Sequence, residues 1–167
     1  MNDSDAGTCN STPLPASCSS SSDTAWSYSY DGDGNLLSQT DPRNVTTYTS
    51  YDGLDRPLCH GTASSQVNPC ASSAYATYFY DSYTNGSNAG VPFPAGCTAP
   101  TTASNPIGRA TVETFSNTAG SGWRCYGYDG RGQTTSSGLS ITADGQTTTQ
   151  TATMAYNDAG AVTSLTY

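Results

Sequence analysis

A unit built on Tyr-Asp begins at Tyr30-Asp31 and begins again at Tyr51-Asp52. It recurs at Tyr80-Asp81, at Tyr128-Asp129 and, with Asn in place of Asp, at Tyr156. The first interval is 21 residues; the later ones are 29, 48 and 28. Recurrence near twenty residues marks a repeat architecture, in which each unit is one supersecondary element stacked on its neighbours. Within the first unit the pattern has period two. Trp26, Tyr28 and Tyr30 share one side, and Ser27 and Ser29 the other, as in a strand. Asp31-Gly32-Asp33-Gly34 then supplies residues that tolerate the left-handed backbone of a tight hairpin.

The same alternation of strand and turn runs to the end of the chain. Strands are expected at 25–30, 35–40, 45–51, 56–61, 74–81, 107–116, 123–129, 133–142, 146–156 and 161–167. Asp41-Pro42, residues 52–55, residues 129–132, Asp144-Gly145 and residues 157–160 are the turns between them. The expected fold is all-β: an array of antiparallel hairpins with no significant helix beyond a single turn near 71–76. Residues 1–24 are polar and Ser-rich and form an N-terminal arm or cap. Residues 25–167 form one β domain, with loop insertions at 59–73 and 82–106. A loop as long as the second is functional, covering or stapled.

Leu, Ile, Val and Phe together number only 17, so little aliphatic surface is available for a core. Twelve Tyr and two Trp compensate in part, and six Cys can staple what remains. Six cysteines without metal-ligand spacing indicate an oxidising compartment, and they allow 15 pairings. Closing the shortest loops costs the least entropy, which favours Cys9–Cys18, Cys59–Cys70 and Cys97–Cys125.

Net charge is −8, with five Arg and no Lys, which argues against nucleic-acid binding and against attraction to anionic membranes. No apolar run is long enough to insert into a bilayer. Asp31-x-Asp33-x-Asn35 opens like a calcium loop, but Leu36 and Pro42 stand where that loop needs Gly and Glu. These acids are better explained as turn residues, and no cofactor is expected. The sole His, His60, is expected in a solvated loop beside Cys59. No nucleophile–base or metal-hydrolase motif is present, so no catalytic residue is assigned and the chain is not expected to be an enzyme. Asn10, Asn44 and Asn85 satisfy the N-glycan acceptor rule.

The segment from Tyr28 to Leu36, together with Asp41-Pro42 and Thr46-Thr47-Tyr48, resembles the YD-repeat (RHS-repeat) family. That family's unit runs Tyr-x-Tyr-Asp-x-x-Gly-[Arg/Asn]-Leu, then Asp-Pro, then Thr-x-Tyr. Tyr126-Gly-Tyr-Asp-Gly-Arg-Gly-Gln133 is a second good match, and Gly132 and Gly160 occupy the position of Gly34. Asp55 replaces this Gly in the second unit, and the unit at Tyr80 lacks it. The resemblance implies hairpins wound side by side with stacked tyrosines in a secreted or surface protein. In larger members the spiral encloses a cargo, for which this chain is too short.

Three functional readings follow. The first is a non-catalytic extracellular structural protein, a head-to-tail homo-polymer that joins by strand pairing into a fibre or surface assembly. The second is a fragment of a larger secreted RHS protein of toxin delivery or adhesion. The third is a carbohydrate-binding module that meets glycans with exposed Tyr and Trp.

Overall fold

The computed structural model of the chain describes residues 25–62, 74–83, 87–88, 91–94, 96–97 and 105–167. Ten strands form one antiparallel sheet in the order of the sequence. They are β1 (Ser27–Tyr30), β2 (Leu36–Thr40), β3 (Thr46–Tyr51), β4 (Pro57–Gly61), β5 (Ala74–Tyr80), β8 (Ala110–Asn117), β9 (Gly120–Tyr128), β10 (Thr134–Ala143), β11 (Gln146–Tyr156) and β12 (Val162–Thr166). A separate two-stranded ribbon, β6 (Ser87–Asn88) and β7 (Val91–Pro92), lies within the second insertion. The described residues contain no helix. β1 and β12 each pair on one side only among the described residues.

The strands form where Thr, Tyr and Ser dominate because these side chains suit a pleated surface with modest burial. Cross-strand hydroxyl pairs follow: Thr40 with Thr46 and Thr142 with Thr147, each at 2.8 Å. Apolar burial is confined to the centre of the sheet. Phe79, Val112 and Cys125 stand in one cross-strand row on β5, β8 and β9. This row is buried together with Cys97, and Phe93 and Trp123 pack against it. Phe93 and Cys97, from the second insertion, therefore cover this row. The Cys97–Cys125 disulfide ties the insertion to the face of β9, and the Phe79 and Phe93 rings meet edge to face at 5.4 Å. Thr111, fully buried, donates to the carbonyls of Phe79 and Ser82 at the root of the insertion.

Four expectations shift. His60 is not in a solvated loop; it lies half-buried on β4, so the first connection begins after Gly61 rather than at Cys59. Ala74 to Ala76 are strand, not part of a helical turn, because they pair with β4. β8 starts at Ala110, since Pro106–Arg109 is a turn closed by Arg109 N–H on the Pro106 carbonyl at 2.9 Å. β9 begins at Gly120 because Asn117 Oδ1 accepts the N–H groups of Ala119 and Gly120 and makes a tight turn there.

Cys59 is also disulfide-bonded. The expected pairings Cys9–Cys18 and Cys59–Cys70, the arm 1–24 and the acceptors Asn10 and Asn85 lie outside the described residues. Replacing Cys97 and Cys125 together by Ala should destabilise the protein by about 3 kcal/mol in thermal melts. It should also make the second insertion the first site of limited proteolysis.

Candidate functional site

The Tyr-Asp units converge on one structure, a five-residue loop repeated along the sheet. It occurs at 31–35, 41–45, 52–56, 129–133 and 157–161. In each, the first residue's N–H donates to the fifth residue's carbonyl at 2.9–3.0 Å. The fourth residue's N–H returns to the first residue's carbonyl. The side chain of the first residue fills the loop. Asp31, Asp41, Asp52 and Asp129 each accept, through Oδ1, the N–H groups of the third and fifth residues at 2.8–3.0 Å. Asn157 Oδ1 accepts the fifth, from Ala161, at 2.9 Å. Asn can replace Asp because the loop uses the oxygen as an acceptor.

The fourth position is left-handed in every copy: Gly34, Asn44, Asp55, Gly132 and Gly160 all have φ between 60° and 91°. This explains the repeat glycine, and Asp55 and Asn44 stand there because their short polar side chains tolerate αL. Asn44, a glycan acceptor by sequence, is exposed at that corner. Asp41-Pro42, at the opposite end of the strands from Asp31 and Asp52, uses the same loop as the Tyr-Asp units.

The unit at Tyr80 is split. Asp81 N–H donates to the Arg109 carbonyl at 3.2 Å, and Asp81 Oδ1 accepts Gly108 N–H at 2.6 Å. Gly108 carries the left-handed φ of 76°. The second insertion thus enters through the loop and the loop is rebuilt around its ends. Sequence reasoning missed this because the missing glycine lies 27 residues downstream of Asp81.

A tyrosine bond joins units at four places and a fifth-residue bond accompanies it at three of them, and neither kind was anticipated. The repeat tyrosine donates its hydroxyl to the residue that follows the preceding loop. Tyr51 reaches the Leu36 carbonyl, Tyr80 that of Pro57, Tyr128 that of Ala110 and Tyr156 that of Thr134, at 2.6–3.2 Å. The fifth loop residue reaches sideways to the next loop. Asn35 bonds Asp55 at 2.8 Å, Arg56 bonds Asp81 at 2.7 Å and Gln133 bonds the Gly160 carbonyl at 3.3 Å. The guanidinium carbons of Arg56 and Arg109 also lie over the next rings, Tyr80 at 4.3 Å and Tyr128 at 5.6 Å. Both are cation–π contacts. The signal was present in the sequence: the family unit places Arg or Asn at this position.

These bonds set the electrostatics. Asp31 is held below the ordinary carboxylate range, first by the Asn35 amide, and Asp41 by the Val45 N–H and then Arg43. At Asp52 burial pushes upward, but the N–H groups of Arg56 and Leu54 and the Arg56 guanidinium prevail, and the group is lowered. Asp81 is lowered by Arg56 and then by Gly108 N–H, and the same pairing raises Arg56. Asp31, Asp33, Asp52 and Asp55 line an open cleft of about 410 Å³ between the first and third loops. Asp31 and Asp52 turn their bonded oxygens into their own loops. No group of three His, Cys, Asp or Glu among the described residues is placed to hold a metal ion. His60 accepts or donates a bond with the Thr49 hydroxyl at 2.9 Å and meets the Tyr78 ring edge-on at 5.8 Å; burial lowers its pKa.

Residues 30–65 match the family model for the RHS repeat. A search of curated proteins finds no match.

Tyr80→Phe and Tyr128→Phe should each lower stability by about 1 kcal/mol, because each leaves a part-buried carbonyl without its donor. The lowered aspartates contribute stability that is present above their unfolded value of 3.8 and lost as pH falls through their folded values. His60 acts in the same direction at higher pH: its contribution is present above the unfolded value of 6.5 and is lost as pH falls through its lower folded value. The melting temperature should therefore fall in two stages on acidification, and His60→Gln should remove only the upper one.

Proposed function

We propose that this chain, which carries an RHS repeat at residues 30–65, is a non-catalytic structural segment of a repeat array in a secreted or surface-displayed protein. Its role is to extend a β-sheet whose edges accept further strands. RHS repeats occur in secreted or cell-surface proteins, and the Cys97–Cys125 disulfide suits an oxidising compartment. No helix among the described residues is long and apolar enough to cross a membrane.

The observation that carries this reading is the rim of loops. Each of four joints between units carries a tyrosine hydroxyl bond, and in three of them the fifth loop residue also bonds the next loop. A device of this kind has no intrinsic end, since every added unit presents the same carbonyl and the same loop to its successor. The carboxylates of Asp31, Asp52 and Asp129 are consumed by turn formation, which leaves them poorly suited to acid–base chemistry. β1 and β12, the two edges, contain no charged residue, and charge is a common means of blocking edge pairing.

The reading is tested by lengthening the array. Thr166 ends β12 at the position that Thr40 holds in β2, immediately before the Asp41 loop. A chain in which residue 166 is followed directly by a second copy of residues 41–61 should pair that copy with β12. Amide exchange of β12 should slow by roughly tenfold or more. Exchange rates unchanged from the parent chain would show that the edge does not accept strands, and would overturn the proposal.

A further inference from the structure

The four internal joints that run from a loop into the next tyrosine strand share one register. In each, the second residue after the carbonyl that accepts the tyrosine hydroxyl pairs with the residue three before that tyrosine. Ser38 pairs with Tyr48 for the Leu36–Tyr51 bond, and Cys59 with Thr77 for the Pro57–Tyr80 bond. Val112 pairs with Cys125 for the Ala110–Tyr128 bond, and Ser136 with Thr153 for the Thr134–Tyr156 bond.

Half of a fifth joint stands at each edge. The loop 157–161 is followed by Val162, the residue that corresponds to Leu36, Pro57, Ala110 and Thr134. Tyr30 opens the array, is 58% exposed, and donates its hydroxyl to no carbonyl among the described residues. The sheet has ten strands, all antiparallel to their neighbours, so β1 and β12 run in opposite directions. A second sheet can therefore continue the first, β1 beside β12, with the alternation of strands and the rim of loops unbroken.

From this geometry, and resting on the reading of the chain as an extendable array, we infer that the occupant of the β12 edge is β1 of a second copy of this chain. The register follows from the four internal joints. Ser164 faces Ser27 of the next copy, and Tyr30 of that copy donates its hydroxyl to the Val162 carbonyl. The same register sets Leu165, 49% exposed, opposite Trp26, 50% exposed, so the contact covers two large apolar side chains now in water. Neither strand carries a charge that the pairing would have to desolvate. The contact is head-to-tail and does not close on itself in a pair, so it propagates to an open chain of copies. The net charge of −8 opposes the approach of copies, so assembly strengthens as salt screens it.

One asymmetry distinguishes this joint from the internal ones. The fifth loop residue here is Ala161, in place of Asn35, Arg56, Arg109 and Gln133, so no side chain reaches across to the next loop. The tyrosine bond, the strand pairing and the Leu165–Trp26 contact carry the joint without a bond between loops, which makes it a weaker joint than those that have one, and a reversible one.

The test uses two single variants of the full chain, Ser27→Cys and Ser164→Cys, each checked for the parental melting curve and mixed under mild oxidation. Residues directly opposed across an antiparallel pair lie within disulfide reach. Disulfide-linked dimer should form in the mixture and not in either variant alone. Thr163→Cys, whose side chain points to the other face, should give none with Ser27→Cys. Adding Tyr30→Phe to Ser27→Cys should reduce the dimer roughly fivefold. Equal dimer in a single variant would mean that like edges pair. Equal dimer with Thr163→Cys would mean that no register is enforced, and no dimer at any concentration would mean that copies do not meet. Each of these outcomes overturns the inference. If they occur while the lengthened chain still protects β12, the array reading stands and only the second copy is excluded.

Discussion

The acceptance of two backbone N–H groups by one side-chain oxygen, at the first position of each loop, is the interaction on which the sheet depends. A sheet with so few aliphatic residues cannot be held by burial: among the described residues only Cys59, Phe79, Cys97, Val112 and Cys125 are buried apolar side chains. What fixes strand direction and register is the turn. When Asp31, Asp52 or Asp129 closes its loop, the residue before the loop is set opposite the residue after it, as with Tyr30 and Leu36, Tyr51 and Pro57, Tyr128 and Thr134. A one-residue slip would exchange the two faces of every following strand. The carboxylate prevents that slip at each unit.

Neighbouring units are joined laterally by strand pairing, and the tyrosines add a side-chain bond to each of those joints. Their hydroxyls reach back across the sheet to the carbonyl of the residue that follows the preceding loop. The ring then provides a surface for Arg56 or Arg109. Tyrosine suits the position because it combines a large apolar body with a polar tip. Phenylalanine could supply the body but would leave the carbonyl unpaired. The covered centre, with Phe93 and Cys97 over Phe79 and Val112, adds the one region of dense packing, and the disulfide fixes it there.

Much of this was legible in the sequence because its signals are local. The period of the Tyr-Asp pairs, the turn residues and the alternation at 26–30 identify hairpins, and the shortest-loop argument found the Cys97–Cys125 bond. The role of the Arg/Asn position was visible as a pattern but not as a contact, because its partner belongs to the next unit. His60 was misplaced because its neighbour Cys59 suggested a loop, whereas its environment comes from Thr49 and Tyr78 on adjacent strands. The turn at Asn117 has Thr118 and Ala119 at its centre, neither a turn former, and escaped notice, although its Asn side chain closes it.

By itself, then, the sequence determined that the chain is a β-array, where the hairpins of its Tyr-Asp units and of Asp144-Gly145 turn, and that the acids Asp31, Asp52 and Asp129 serve those turns. These properties depend on residues within a few positions of one another, where φ preferences and side-chain-to-backbone bonds act. The tertiary structure alone decided how Asp81 recovers its loop from Gly108, which carbonyl each tyrosine takes, and how the four joints come to share one register. Those are relations between strands, fixed by pairing across distances that local chemistry does not reach. They are also what leaves Tyr30, with no carbonyl partner among the described residues, at one edge and Val162, at the position of Leu36 in its unit, at the other.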